Sequence, residues 1–249
     1  MKFLSMIPVL CVIALTGCSN KMPDPYASYR NKTASDLFVS AQTALAKGDY
    51  SAAVTQYEAQ DAVYPFGPYA PRVALNSIYA YYMADDMPSA LTAADRFIRL
   101  YPRSPYADYA YYMRGVIGFT AGLNWLQRRF HVDASMREPG PLQQSYAAFA
   151  SLNRLYPHSL YAPDARLRMV YIRNQLAARE LSIARFYWKK KADVAASNRA
   201  IDVVMHYQGS TAVQPALILA YKAYQRLGLK ECAAKTRALL MANFPNAHL

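Results

Sequence analysis

Residues Gly48–Pro65 read GDYSAAVTQYEAQDAVYP. Gly48 can end a helix in a left-handed cap. Tyr50 then begins a new apolar stripe, Ala53 is small where two helices must approach closely, and Tyr57 lies one turn further along that face. Pro65 lacks the amide hydrogen needed to continue the helix and stops it. The stretch is thus a turn followed by the second helix of a helix–turn–helix unit.

The unit recurs. Tyr64-Pro65 returns as Tyr101-Pro102 and Tyr156-Pro157, in degraded form as Tyr207-Gln208, and again as Phe244-Pro245. The first members are spaced by 37, 55, 51 and 37 residues, so the two long intervals exceed the common period by 18 and 14. The small residue twelve places before the Pro position recurs as Ala53, Ala90, Ser145, Ala196 and Ala233. Five copies at a fixed period are the signature of a helical array, here of the tetratricopeptide-repeat kind. The predicted fold is all-α: a tetratricopeptide superhelix, or α-solenoid, of five helix pairs. It carries an insertion in repeat three and a long helix entering repeat four.

Bulk composition agrees. With 249 residues and 54% hydrophobic content the chain can bury a substantial core, and nine Gly with few alternating β-branched runs argue against a sheet protein. A single helix pair cannot bury its apolar face, so stacking supplies the core. The formal net charge is +12, which suits nucleic acid, anionic lipid or an acidic protein surface. Apart from Arg128-Arg129 and Lys189-Lys190-Lys191 the basic residues are spread along helical faces, and no nucleic-acid motif accompanies them. They read as solvated faces or protein contacts.

Residues 1–17 read as a targeting segment: Lys2 supplies the positive start and Phe3–Leu15 a short apolar run, too short for a spanning helix of about 20 residues. The run ends in Leu15-Thr16-Gly17-Cys18, which resembles a bacterial lipobox. That resemblance implies cleavage before Cys18 and a covalent lipid on it, S-diacylglycerol and N-acyl, palmitate among the chains. Ser19 next to it implies the outer membrane. Such an anchor holds a protein to a membrane without a spanning helix. Residues 18–33 read as a polar, flexible tether whose last fifteen residues reach about 50 Å at full extension. Repeats one to three occupy 34–160 and repeats four and five 161–249. Ser35 is a candidate N-cap of the first helix. The extra residues of repeat three fall around 121–141 and read as a loop. Between Pro163 and Gly209 there is neither Gly nor Pro, so Asp164–Lys190 is expected to be one helix of about 40 Å. Gln208, where the other copies have Pro, is expected to loosen its helix end. With Cys11 removed and Cys18 acylated, only Cys232 remains; beside a small-residue position it reads as a buried small hydrophobe.

No catalytic constellation is legible. The four His, at 131, 158, 206 and 248, are isolated and none has metal-ligand spacing to another His or to Cys. P-loop, dinucleotide and serine-elbow patterns are missing from the sequence. Neither an enzyme, nor a metal, nor a further cofactor is expected. What remains is surface. In tetratricopeptide arrays the second, fifth, ninth and twelfth positions of each first helix point into the concave groove. Applied here, they are Ser35, Phe38, Gln42 and Leu45; then Arg72, Leu75, Tyr79 and Tyr82; then Tyr109, Tyr112, Val116 and Phe119. The groove candidates are Phe38, Arg72, Leu75, Tyr79, Tyr82, Tyr109 and Tyr112. Such a surface suits an extended peptide with aromatic side chains and a terminal carboxylate. Packing of the same rings between helices is the alternative, since 22 Tyr cannot all face a ligand. The equivalent positions of repeats four and five are more mixed and cationic, which predicts different partners for the two ends.

The lipobox, the five repeats, YPFGPY at 64–69, IYAYY at 78–82, RFIRLYP at 96–102, YMRG at 112–115 and FHVDASMREP at 130–139 together resemble the BamD family, also called ComL or YfiO, of outer-membrane assembly lipoproteins. The resemblance covers essentially the whole chain after the targeting segment. It implies a lipid-anchored, non-enzymatic subunit on the periplasmic face of the outer membrane, within the machinery that inserts β-barrel proteins. It implies as partners the POTRA region of the barrel protein BamA, other lipoproteins of that complex, and unfolded outer-membrane proteins whose terminal signals end in an aromatic residue. The Asn-Arg pair that the family uses toward BamA matches Asn198-Arg199. A local ion pair of Arg199 is the plainer alternative. The rival functions are a repeat lipoprotein serving peptidoglycan, division or pilus secretion; a hydrolase of peptidoglycan with a scattered site; and a nucleic-acid binder in DNA uptake, whose affinity would fall steeply with salt.

Overall fold

The computed structural model describes residues 24–120 and 138–249. Residues 1–17, Cys18 and most of the loop expected at 121–141 lie outside the described residues. Within them there are ten α-helices and no strand. The helices run consecutively as pairs: α1 (Ala34–Ala46) with α2 (Tyr50–Val63), α3 (Ala70–Met83) with α4 (Met87–Leu100), α5 (Ala107–Thr120) with α6 (Pro139–Leu155), α7 (Ala162–Lys189) with α8 (Asp193–His206), and α9 (Val213–Arg226) with α10 (Lys230–Asn243). Each helix packs on the next in the chain, which makes the molecule an all-α stack of helix pairs. No described helix is long and apolar enough to cross a membrane.

One turn geometry joins the partners of four pairs. The amide of Asp49 bonds the carbonyl of Ala44, Asp86 that of Tyr81, Ala192 that of Tyr187 and Leu229 that of Tyr224, each at 3.0 Å. The residue before each donor is left-handed: Gly48 at φ +77°, Asp85 at +63°, Lys191 at +59° and Gly228 at +73°. This is the six-to-one closure that satisfies orphan carbonyls at a helix end. Asp49 and Asp86 then cap the next helices, accepting from the amides of Ala52 and Ser89 at 3.1 Å.

The second helix of each pair ends differently. Tyr64, Tyr101, Tyr156, Tyr207 and Phe244 all sit extended in φ, between −123° and −137°, with their amides still bonded four residues back. Tyr207 adopts this shape without a Pro after it, so Gln208 leaves the helix end unaltered. Gly209, left-handed at φ +73°, turns the chain there instead.

Where helices cross, the side chains are small. Ala53, Ala90, Ser145 and Ala196 are fully buried, and Ala233 nearly so. The tightest approach is between α5 and α6: Ser145 Oγ donates to the carbonyl of Gly115 at 2.7 Å, and the fully buried Phe149 ring lies where a Cβ on Gly115 would be. Between successive pairs the core collects in clusters of Ala with larger apolar side chains, for example Ile78, Phe97, Met113 and Ile117 around Ala90, Ala94 and Ala110.

Several expectations are corrected. The N-cap of α1 is Thr33, whose hydroxyl accepts from the Asp36 amide at 3.1 Å; Ser35 is already inside the helix. Pro139–Pro141 form the first turn of α6 rather than a loop, because Pro suits the positions whose amides have no helical partner. The tether does not extend to Thr33: Ala27–Tyr29 form a 3-10 turn, Tyr26 Oη donates to Glu58 on α2 at 3.1 Å, and Tyr64 Oη donates to the Lys32 carbonyl at 2.8 Å. Cys232 is exposed, since it falls on the outward face of the terminal helix α10.

Candidate functional site

The aromatic face is built by the first helices of consecutive pairs. α3 contributes Arg72, Leu75, Tyr79 and Tyr82; α5 contributes Tyr109, Tyr112 and Phe119; α7 contributes Tyr161 at its cap, Asp164, Arg168 and Tyr171. Tyr112 stacks on Tyr161 with centroids 4.8 Å apart, and Tyr109 meets the same ring at 5.6 Å. Phe119 meets the edge of Tyr171 at 5.5 Å, with the Arg168 guanidinium 5.3 Å over the Phe119 ring. Tyr82 lies 3.5 Å from Thr120 through its hydroxyl. Leu75, Tyr82, Tyr109 and Tyr112 are half-buried, and the open tyrosines of this wall are Tyr79 at 38% exposure and Tyr171 at 44%.

Phe38 does not belong to the accessible surface. It is 3% exposed, stacked on Tyr69 at 4.8 Å and covered by the Arg72 guanidinium 4.8 Å above its ring. Tyr69 and Arg72 close over it because the turn at 64–69 brings both onto α1. Arg72 itself is exposed, and no carboxylate bonds it among the described residues. It is the cation at the α1 end of the wall.

A polar knot fastens the other end. Tyr112 Oη donates to Asp164 Oδ2 at 2.8 Å, and Arg168 Nε reaches the same oxygen at 2.5 Å. Burial alone would raise the Asp164 carboxyl, but the hydrogen bonds from Arg168 and Tyr112 outweigh it and hold it below its ordinary value. Burial pushes the Tyr109, Tyr112 and Tyr161 hydroxyls up, with neighbouring phenols adding to it at Tyr109, the Asp164 hydrogen bond at Tyr112 and Asp108 at Tyr161. Phenols are uncharged near neutral pH in any case, and the Tyr112 proton is committed to Asp164. Sequence reasoning missed Tyr161, Asp164, Arg168 and Tyr171. The last residue of the turn YPHSLY could have flagged Tyr161 by analogy with Tyr69 and Tyr106, and its spacing from Arg168 marks two successive turns of one helix face.

Asn198 and Arg199 lie elsewhere, both exposed on α8. Arg199 Nη1 is 3.3 Å from Glu180 Oε2 on α7, and Arg179 Nη1 is 3.3 Å from the other oxygen of that carboxylate. The two arginines share one mostly buried acid, leaving this patch net positive. The structure thus separates the predicted residues into two places: an aromatic wall on α3, α5 and α7, and a polar, cationic patch on α7 and α8. A third feature was not foreseen. A cleft of ≈ 550 Å³ opens between the ends of α8, α9 and α10, lined by Val204, Met205, Leu217, Leu239 and Phe244, with the Ser210 hydroxyl buried and unpartnered. Among the described residues no group of His, Cys, Asp and Glu could hold a metal ion.

Comparison with known proteins gives a consistent result. The family described as YfiO, outer membrane lipoprotein, matches residues 30–240. Outer membrane protein assembly factor BamD of Vibrio cholerae is 36% identical over 243 residues, covering 98% of this chain and 99% of that protein. The BamD of Pasteurella multocida is 37% identical over 234 residues, covering 94% and 88%. That of Neisseria meningitidis serogroup A is 39% identical over 211 residues, covering 85% and 79%.

Proposed function

Since the chain belongs to the YfiO family of outer membrane lipoproteins, we propose that it is an assembly factor for outer-membrane β-barrel proteins. We propose further that it works without catalysis, as an adaptor that holds a barrel protein at one end and an unfolded client segment at the other. The observation that carries the reading is the match to proteins named as assembly factors over nearly the whole chain, at 36–39% identity. In this reading Cys18 carries the lipid, and the protein sits on the periplasmic face of the outer membrane with the other lipoproteins of its complex.

The aromatic wall is the proposed client site. Tyrosine offers ring area with a hydrogen-bonding tip at low entropic cost. The open Tyr79 ring and the half-buried rings of Tyr109 and Tyr112 suit an extended segment bearing aromatic side chains. Arg72, with no carboxylate on it among the described residues, suits the terminal carboxylate of that segment. Phe38 supports the wall from beneath. Asn198 and Arg199 are the proposed contact to the POTRA region of BamA. Removing Arg199 leaves Glu180 still paired with Arg179, so Arg199→Ala is expected to cost under about 1 kcal/mol of stability. A desolvated interfacial Arg, by contrast, is worth about 2 kcal/mol or more in binding. Calorimetric titration of a purified POTRA fragment against the wild type and Arg199→Ala checks this: unchanged affinity removes Arg199 from the interface.

The decisive experiment is affinity purification of the lipoprotein from mildly solubilised envelopes, with mass spectrometry of the co-purifying proteins. A POTRA-bearing barrel protein in near-stoichiometric amount is the expected result. Recovery of cell-wall or pilus proteins alone would overturn the assembly reading in favour of the other adaptor role.

A further inference from the structure

Because the helices alternate in direction, the connections at 64–69, 101–106 and 156–161 lie along one edge of the stack and the turns at 47–49 and 84–86 along the other; the connection at 207–212 is offset along the long helix α7, where Gly209 accepts from Arg173 and the Thr211 amide meets Asn174. The two edges differ in chemistry. The first bears exposed apolar side chains: Phe66 at 98% exposure and Leu160 at 93%, together with Leu100, Tyr106 and Leu155. Interleaved with them are the exposed Arg99, Arg103 and Arg154, none with an acidic partner among the described residues. These three connections themselves contain no Asp or Glu. Of the acids near these connections, Asp61 pairs with Arg96, Asp95 with Arg114 and Asp164 with Arg168, whereas Asp108 stays at the edge on the Ser159 hydroxyl and Asp36 lies in the first turn of α1. The opposite edge is of mixed charge, with Lys47 beside Asp49 and the pair Asp85-Asp86.

The chain also enters the fold at the apolar, basic edge. Thr33 caps α1 there, and Tyr64 holds the Lys32 carbonyl against the first connection. From Asp24 back to Cys18 there are six residue steps, a reach of about 20 Å. A lipid on Cys18 would therefore keep this edge close to the bilayer.

We propose that this edge is a membrane-facing surface that lies on anionic phospholipid. Aromatic and aliphatic side chains that enter the headgroup boundary, with arginines beside them to meet acidic headgroups, are what an interfacial surface requires. The short path to the anchor point supplies the local concentration that so small a patch needs. The inference rests on the anchoring reading above, and its consequence is an orientation. With one edge on the membrane, the aromatic wall of the first helices faces sideways along the bilayer.

The test uses the full lipoprotein in vesicles of phosphatidylethanolamine with or without phosphatidylglycerol. In a Cys232→Ser background, a nitrobenzoxadiazole label is placed at Leu160→Cys on the proposed edge or at Lys47→Cys on the other. Both sites are exposed, so neither change should disturb the fold. Flotation reports anchoring by itself. The expected result is a blue-shifted label at residue 160 that nitroxide lipids quench, with no such change at residue 47. The quenching should be lost in the Arg99→Glu, Arg103→Glu, Arg154→Glu triple variant and weakened without phosphatidylglycerol. Protein that floats while the residue-160 label stays in water would overturn the membrane edge and leave the anchor standing. Protection of residue 160 only when a POTRA fragment is added would overturn it in favour of a protein contact. Failure to float would remove the anchoring premise, and the inference with it.

Discussion

Gly115 shows how little room a single residue can have. A Cβ there would fall 2.7 Å from Phe149 Cζ, and Phe149 is fully buried, so the ring has nowhere to go. Ala normally gains about 1 kcal/mol over Gly in a helix. Overpacking typically costs about 1–3 kcal/mol, and with a rigid aromatic as neighbour the clash wins. Gly115→Ala is expected to lower the melting temperature, and a rise would show that α5 and α6 can part without penalty. Tyr112 makes a prediction of another kind. Its hydroxyl helps to hold Asp164 below the ordinary carboxylate value. A depressed acid contributes stability that is fully present above its unfolded pKa and lost as pH falls through its folded one. Tyr112→Phe should therefore destabilise by about 1 kcal/mol or less near neutrality, the partial exposure of Asp164 limiting the effect. The difference should shrink on acidification below about pH 4. Melting curves across that range check the sign.

At the scale of elements, four turns share one geometry but not one residue. Gly48 and Gly228 adopt the left-handed conformation freely, whereas Asp85 and Lys191 hold it against the Cβ clash. Lys191→Gly should relieve strain at the α7–α8 turn and stabilise by up to about 1 kcal/mol, with Gly48→Ala costing about the same in the opposite direction. Thermal melts of the two variants moving in the same direction would contradict this account. The six-to-one bond was legible at the glycines. At Asp85 the signal was weaker, since Asp tolerates a positive φ without requiring it, and at Lys191 nothing in the side chain announces one; there the packing of the paired helices imposes it. The long helix α7 was legible from the missing Gly and Pro. The start of α6 was misread, since Pro139 and Pro141 look like loop residues until one sees that they occupy the first turn.

For the whole molecule, stacking means that each pair is stabilised by its neighbours and the terminal helices have one side only. α10 buries just Ala233, Thr236 and Leu240. Its amides should exchange with solvent fastest among the helices, with α5 and α6, closed around Phe149, among the slowest. Hydrogen exchange by mass spectrometry reads this directly, and uniform protection across all five pairs would mean a single cooperative unit instead.

The repeat period, the positions of the small residues and the helix stops were set by local chemistry, which is why the order and approximate bounds of the helices can be read from the chain alone. So can the placing of Arg72, Tyr79, Tyr109 and Tyr112 on one face, because that face is a matter of helical spacing. Only the tertiary structure decided which of those side chains remain available. Phe38 shares the pattern of the groove positions but is sealed by Tyr69 and Arg72, which reach it from the next repeat. Tyr161, Asp164 and Arg168 join the site from α7, more than forty residues beyond α5. Spacing along one helix fixes direction; accessibility depends on what the neighbouring helix brings across the gap, and no local signal carries that.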